Sequence, residues 1–551
     1  MALSLPPQGR DKLKNLLICI SLGNFCFLRR WYDLEHLQQR AVDYYRVRPA
    51  DPSLLIATLI AALILALMFW LAWIWLQRNP TSGRVKFAQS VFLLILIFPL
   101  ESVRRYWNMQ TISPDLASNI SLLSVESVLA FGVGMVLLGN PRMVGAAKRA
   151  TLLLTLLLPS LVIDFTWTRL GAEAASAYQP KPPAPMLAPR PGPPRRLIWI
   201  IFDEFDQRLA FNVRPQSLQM PQIDRLRAES LFANRATQTA AWTTLAVPCL
   251  VSGRIFSRAD LIDADELEIY EDSQGPLDWA RQPNVFTGAR QLGVNSELVG
   301  WHHPYCRVFG DTLVRCLDVP SGHPTAALLR ETQAAEEGVL RTVPFLFRIQ
   351  FENLRDMFRS MKEPGSDSLR DVYVQQRQQR QYLQIRDRAY AGAVDKQIDF
   401  LFVHFPVPHL FAIYDRRRQD YKLSSSIDYL DNLALVDRTV GEFRQALEHA
   451  GLWDETSLLI TSDHGLRPDL WRGRLGWTDQ LEKLTAGGLS PNVPFVLKLA
   501  GQREGVVYDR SFSNVVSADL SLAVLSGQVS TAKQAAAWLD EHSRTDEKTV
   551  R

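Results

Sequence analysis

The chain has 551 residues, 47% of them hydrophobic, and its 61 Lys and Arg against 57 Asp and Glu leave a formal charge of +4. A length of this order implies several domains. The near-balance of charge, with no dense basic tract, gives no reason to expect a nucleic-acid partner.

Apolar residues come in long runs before about residue 170 and in short ones after 195. The run 53–76 holds no charged residue and exceeds the about 20 residues that cross a bilayer as a helix. Segments 87–100, 119–138 and 150–167 are further candidate spans, the second carrying Glu126 and the last Asp164. Segment 16–28 is shorter. Arg29 and Arg30 follow it with no small-residue cleavage site, so it is not a simple cleaved signal peptide. A soluble helical core could explain one such run but hardly four in succession, and about five membrane helices are expected. The loops 77–86 (Arg78, Arg84, Lys86) and 139–149 (Arg142, Lys148, Arg149) are short and basic, the mark of cytoplasmic loops. The N-terminus then lies inside and the large C-terminal part outside. Loop 29–52 holds five Arg yet falls outside in this scheme. Either it is an interfacial segment meeting lipid headgroups, or segment 16–28 does not span.

Eight of the fifteen residues from 180 to 194 are proline. Such a stretch forms neither helix nor central strand and acts as a semi-rigid spacer. The expected organisation is a transmembrane domain over 1–170, a Pro-rich linker over 171–196 and a globular domain over 197–551. Within the last, 197–202, 298–301, 398–403, 457–461 and 493–499 are predicted to be buried strands. Segment 429–450 is predicted to be a helix, with Leu430, Leu433, Val436, Val440, Phe443 and Leu447 on one stripe and Gly451 as its C-cap. The charged, Gln/Arg-rich stretch 326–395 is predicted to be helical, its basic residues a solvated face. Strands alternating with helices predict an α/β domain with a largely parallel central sheet.

Cys249 sits in an apolar stretch and suits a small core residue. Cys306 and Cys316 flank the loop "CRVFGDTLVRC". In an oxidising compartment that pair forms a disulfide; two free thiols are the alternative.

In open α/β sheets, active sites gather at the carboxyl ends of strands. "LIWIIFDEFD" ends a strand in Asp203 and Glu204, "FLFVHFPVPH" ends another in His404 with His409 following, and "LLITSDHG" ends a third in Asp463 and His464. Any one of these could be a capped turn; three together point to a metal site. Carboxylate oxygens with imidazole nitrogen suit Zn²⁺ or Mn²⁺, and an oxygen-richer set Ca²⁺ or Mg²⁺. "TAAWTTLAVPCLVSGR" supplies hydroxyls at Thr243 and Thr244 before an apolar, helix-like run. A threonine hydroxyl coordinated to a divalent cation becomes a usable nucleophile; a threonine there could equally be a helix N-cap.

The order of these segments resembles the alkaline phosphatase/sulfatase superfamily. It resembles more closely the membrane-anchored branch with phosphoethanolamine transferases and phosphoglycerol transferases of the lipoteichoic-acid-synthase type. The resemblance covers about 197–525 and rests on the strand into Asp203, Thr243 ten residues before Gly253, "HFPVPH", "YLDNLALVD", "SDHG" and "NVPFVLKLAG". It implies Asp203, Thr243, Asp463 and His464 as the metal set and Thr243, in preference to Thr244, as the residue that is covalently modified. It also implies His409 as a contact to the transferred group or to a second metal. His404 would be a supporting residue, and Glu204 either an extra ligand or solvent-facing. Two-metal relatives carry a further histidine downstream, whereas His542 alone follows His464 here, so one divalent metal is expected. The sulfatase Cys-x-Pro-x-Arg motif is absent, since Cys249 is trailed by Leu250, Val251 and Ser252; phosphorus chemistry is favoured.

The resemblance implies an enzyme of a bacterial inner membrane, multi-pass, with its catalytic domain on the periplasmic side. It would move a phosphoethanolamine or phosphoglycerol headgroup from a phospholipid donor to an envelope glycan or lipid acceptor. A hydrolase with the same site, or a non-catalytic lipid-sensing regulator, are the alternatives.

Overall fold

The computed structural model describes residues 7–27, 52–78, 83–84, 149, 181–188 and 195–543, the last with breaks at 263–265, 273–274, 320–337, 363–368, 410, 422–426, 473–475, 487 and 489. The helices used below are α1 (Pro7–Cys26), α2 (Pro52–Arg78), α3 (Thr243–Ser252), α4 (Val339–Lys362), α5 (Leu369–Val394) and α6 (Tyr429–His449). The chain forms two compact units: residues 1–40, 46–176 and 324–368 make one, and 41–45, 177–323 and 369–551 the other.

In the first unit, α2 contains Ile56–Leu76, among the described residues the one helix long and apolar enough to cross a membrane. Only 17% of its most apolar window is buried, which is not the pattern of a helix at the centre of a soluble core. Leu63, Leu67 and Leu71 recur at four-residue spacing on its exposed side. Its other side is lined by small residues: Ala57, Thr58, Ala61, Ala62 and Ala66 are buried, and Gly23 of α1 fits against Ala62 and Ala66 where no Cβ would. Small residues at four-residue spacing let helix backbones approach closely. The predicted span 16–28 falls within and just beyond α1. The predicted spans 87–100, 119–138 and 150–167 lie outside the described residues. Helix α4 is inserted in the middle of the sequence yet belongs to this unit, with Leu346 packing beside Phe27, Ala57, Ala61 and Ala62.

The second unit is built on an eight-stranded sheet. Its strands in chain order are β1 (Arg196–Phe202), β2 (Leu231–Ala233), β3 (Ser296–Trp301), β4 (Arg315–Val319), β5 (Phe400–Phe405), β6 (Thr456–Ser462), β7 (Phe495–Lys498) and β8 (Val506–Tyr508). Their order across the sheet is β8-β2-β7-β6-β1-β5-β3-β4. The run from β6 to β4 is parallel throughout; β7 is antiparallel to β6 and to β2. The central strands are continuous apolar runs because both faces are covered. Along β1, Leu197, Trp199 and Ile201 enter one core while Ile198, Ile200 and Phe202 enter the other, the period-two alternation of a strand.

The largely parallel α/β domain is as the sequence predicts, with strand bounds displaced by up to two residues: 298–301 begins at Ser296 and 493–499 narrows to Phe495–Lys498. The strand predicted over 398–403 runs instead over Phe400–Phe405. Ile398 is buried, but its amide closes a turn onto Asp395. An apolar run reports burial and not ladder pairing, so it misplaces the start. Helix α6 follows its predicted stripe. Asp428 and Asp431 form a capping box at its start. At its end Gly451 has φ 69°, while Gly451 N–H bonds Glu448 O and Leu452 N–H bonds Leu447 O, a Schellman closure. Cys306 and Cys316 are joined in a disulfide with Cα atoms 5.5 Å apart, tying the short helix Tyr305–Phe309 to β4. Cys249 is a fully buried core residue whose thiol is pushed up to about 12 by that burial.

Candidate active site

Strand β1 lies between β6 and β5, with Phe202 opposite Ser462 and Ile201 opposite His404. Asp203 and Asp463 therefore leave adjacent strands at one level, and His404 comes up beside them on the penultimate residue of β5. One ligand atom each from Asp203, His404 and Asp463 lies within 4.8 Å of the others, and all three residues are buried. His464 follows Asp463 directly. Its Nε2 is 3.5 Å from Asp203 Oδ1 and 3.3 Å from Asp463 Oδ2. Its Nδ1 is 3.0 Å from Gly465 O. A carbonyl only accepts, so Nδ1 carries the proton and the Nε2 lone pair faces the carboxylates.

The cluster is short of partners. Both oxygens of Asp203, Oδ2 of Asp463 and Nε2 of His404 are buried without a hydrogen bond. Burial, followed by repulsion from Asp463 and Glu204, holds the Asp203 carboxyl well above its usual range. Burial first, then Arg467, pushes the His464 imidazole down to about 3; burial brings His404 to about 4. Neutral imidazoles and crowded carboxylates in a dry site form a donor set that suits a cation, since uncompensated buried charge costs several kcal/mol per ion. Two carboxylates and imidazole nitrogen fit a divalent metal ion. The resemblance implies a supporting role for His404, whereas the structure places it in one group with Asp203 and Asp463. Its unpartnered Nε2 belongs to the group itself, while its Nδ1 lies 2.9 Å from Tyr305 Oη.

Thr243 opens α3, and its Oγ1 is 3.1 Å from His464 Nε2. The N-cap of that helix is Trp242, with no side-chain capping bond, so neither threonine serves as the cap. Thr244 Oγ1 is instead 3.1 Å from His302 Nε2. The two hydroxyls thus face different histidines, and only that of Thr243 faces the metal-type cluster. His409 is not part of the Asp203–His404–Asp463 group: its ring lies 5.2 Å from that of Trp301, and its carbonyl accepts from Asn432 Nδ2.

Glu204 corrects one of the two sequence alternatives, since it does not face solvent. It is fully buried; Oε1 accepts from Arg467 Nε at 2.6 Å and Oε2 from Trp471 Nε1 at 2.9 Å. Both oxygens are thus committed to protein donors. Arg467, His302 and His303 were not singled out from the sequence. The histidines stand at the end of β3 in "WHHPYC", where the strand-end rule applied to the other three strands would have found them. Buried His303 places Nε2 3.1 Å from Thr243 O. Arg467 stands three residues after His464, but nothing local says where so long a side chain goes.

A sheet with acids and imidazoles at the carboxyl ends of its parallel strands, and a hydroxyl at a helix start above them, defines a metal-dependent phosphoester-acting enzyme. Residues 197–484, just over half of the chain, match the model of the type I phosphodiesterase / nucleotide pyrophosphatase family, and the chain belongs to that family. No curated protein matches it. Among solved structures it is similar to the phosphonate monoester hydrolase of Agrobacterium radiobacter (16% identity, 60% of this chain and 74% of that one, TM-score 0.38). It is similar also to the lipoteichoic acid synthase LtaP from Listeria monocytogenes (12%, 60% and 72%, 0.34) and to a sulfatase from Pseudoalteromonas sp. (16%, 63% and 74%, 0.39).

Proposed function

We propose that the protein is a membrane-anchored transferase that moves a phospholipid-derived phosphoryl headgroup, phosphoethanolamine or phosphoglycerol, to an envelope glycan or lipid. The observation that carries the reading is the orphaned set around one hydroxyl: Asp203, Asp463 and His404 with unpartnered buried atoms, and Thr243 Oγ1 beside them on His464. Asp203, Asp463 and His464, with Thr243 and His404, would hold one divalent ion. Such an ion lowers the pKa of a hydroxyl and offsets charge on phosphoryl oxygens.

Thr243 Oγ1 forms a bond to phosphorus, and the bond from phosphorus to the diacylglycerol oxygen breaks. The threonine proton ends on the released diacylglycerol hydroxyl. An acceptor hydroxyl then displaces Thr243 from the phosphodiester, and the threonine regains its proton. The start of α3 supports the first step, because its N–H groups and dipole favour an anion at that end. The exposed apolar face of α2 supports the anchor, which would keep the domain where a lipid donor lies.

The test is mass spectrometry of the full chain incubated with labelled phosphatidylethanolamine or phosphatidylglycerol. The expected result is a headgroup adduct on Thr243, discharged by an added acceptor. Turnover with water alone and no adduct would instead make the protein a hydrolase, the close alternative at the same site. A protein that takes up no divalent metal under replete conditions would be neither.

A further inference from the structure

Arg467 is poised between three parts of the site. It follows His464 by three residues, and its Nε donates to Glu204, the neighbour of Asp203, at 2.6 Å. Its Cζ lies 4.8 Å from the ring of Trp242, the neighbour of Thr243. Its side chain is only 14% exposed. A long, flexible cation is seldom held in such a place by chance, because fixing it costs up to about 2 kcal/mol of side-chain entropy.

Glu204 is what holds it. The residue has φ 61°, a left-handed conformation that costs a non-glycine residue about 1 kcal/mol or more. Its surroundings over-determine it. Its N–H donates to Asp463 Oδ1 at 3.3 Å, its carbonyl accepts from Tyr429 Oη at 2.6 Å, and Trp471 Nε1 fixes the carboxylate oxygen that Arg467 does not use. Strain of this kind persists at functional sites where the surroundings enforce it. Here it aims one carboxylate at one guanidinium.

Only Nε is engaged in that pair. Among the described residues, Nη1 and Nη2 of Arg467 make no hydrogen bond to protein, and neither is a fully enclosed orphan. Two coplanar N–H groups backed by an aromatic ring, beside a nucleophile and a cation site, have the shape that recognises two oxygens of a phosphate.

We propose that Arg467 binds the phosphoryl group at this site, its Nη1 and Nη2 donating to nonbridging oxygens of a phosphodiester, and that Glu204 is the positioning residue that holds the guanidinium there. The assignment deepens the transferase reading and rests on phosphorus chemistry at Thr243. The Arg467–Glu204 pair is neutral overall. The net charge available to the substrate therefore suits the single negative charge of a diester better than the double charge of a monoester.

The test uses the metal-loaded full chain, with bis(p-nitrophenyl) phosphate as the diester, p-nitrophenyl phosphate as the monoester and inorganic phosphate as the ligand. Arg467→Met should keep its metal, bind inorganic phosphate roughly 10- to 100-fold more weakly and lose a similar factor in kcat/KM on the diester, the loss of charge-assisted hydrogen bonds. Arg467→Lys keeps the charge without the fork and should recover only part of the loss. Glu204→Gln should raise KM more than it lowers kcat, with metal content unchanged. Should Arg467→Met fail to fold, the Lys and Gln variants carry the test alone. Wild-type phosphate affinity in Arg467→Met, or in Arg467→Lys where Met does not fold, overturns the assignment, as does loss of metal together with affinity, which would make Arg467 a prop of the metal cluster. If the wild type forms no headgroup adduct and turns over neither ester yet binds phosphate in an Arg467-dependent way, the assignment stands and only the transferase reading fails.

Discussion

Asp203 and Glu204 are neighbours at the end of one strand, both fully buried, and they anchor two regions with opposite character. Around Asp203, four buried polar atoms of three residues lack partners. Around Glu204, the carboxylate, amide and carbonyl are all satisfied by Arg467, Trp471, Asp463 and Tyr429. Native interiors pair nearly all of their buried polar atoms, so the first region is shaped for something the polypeptide does not supply. The second is a finished structure whose purpose is to place one side chain. Paired acids in a motif therefore need not share a role, and their hydrogen-bond inventories separate them where their chemistry does not.

The comparison breaks most sharply on the acids themselves. Asp203→Asn and Asp463→Asn should lose the metal and lower turnover by roughly 10³-fold or more. Thr243→Ala should lose the covalent adduct and retain the metal, and Glu204→Gln should also retain it. Metal per protein by plasma mass spectrometry decides. Equal metal loss in Asp203→Asn and Glu204→Gln would erase the distinction between the two regions.

The next effect concerns histidines. Removing an outer-shell partner typically costs 10- to 100-fold in metal affinity, so His404→Ala, which removes an inward-facing nitrogen, should weaken metal binding by at least about 100-fold. His409→Ala should leave it within a few-fold. Competition with a chromogenic chelator measures both, and the reverse order would move His409 into the cluster.

Cys306 lies beside Tyr305, which contacts His404. Breaking the bond by Cys306→Ser with Cys316→Ser should cost roughly 2–3 kcal/mol of stability, the value for a closed loop of about 10 residues. The metal stoichiometry should not change, because the disulfide braces the satisfied scaffold and not the orphaned atoms. Denaturant unfolding of the metal-loaded protein reads the first, and metal analysis the second.

The smallest change is Trp471→Phe, which removes one donor from the Glu204 carboxylate and should cost about 1.5 kcal/mol. It should also raise KM for a diester modestly, through Arg467. An unchanged melting curve would mean that solvent replaces the indole N–H and that the region is less finished than its bonds suggest.

Much of this site was legible in the sequence because it is local. The apolar runs of β1 and β6 end where the polar residues begin, so Asp203, Asp463 and His464 could be picked out along the chain. The stripe of α6 and its closing glycine were legible for the same reason. His404 was visible as a residue, but its place was not. The apolar run 398–405 does not say where hydrogen bonding to β1 begins, and a two-residue shift separates a loop histidine from one held in the ladder. The Glu204–Arg467–Trp471 group was not legible, since its partners lie more than 260 residues apart and a charged side chain carries no periodicity. His302 and His303 directly follow the apolar run of β3, so their signal is as local as that of Asp203 and Asp463. The three later membrane runs lie outside the described residues, so the fivefold span remains a reading of the sequence.

The insertion of α4 has a consequence for how the two units could ever be parted. Because residues 324–368 belong with the N-terminal helices while the chain on both sides belongs with the sheet domain, the polypeptide passes between the units at the insertion as well as at the linker. A protease that cuts once within 180–194 would therefore not shed the sheet domain. Two strands of chain would still tether it, each ending on a helix whose Leu346 is seated among Phe27, Ala57, Ala61 and Ala62. Release would need further cuts on either side of α4, and a sheet domain made without the N-terminal helices would leave α4 without the surface that Leu346 packs on.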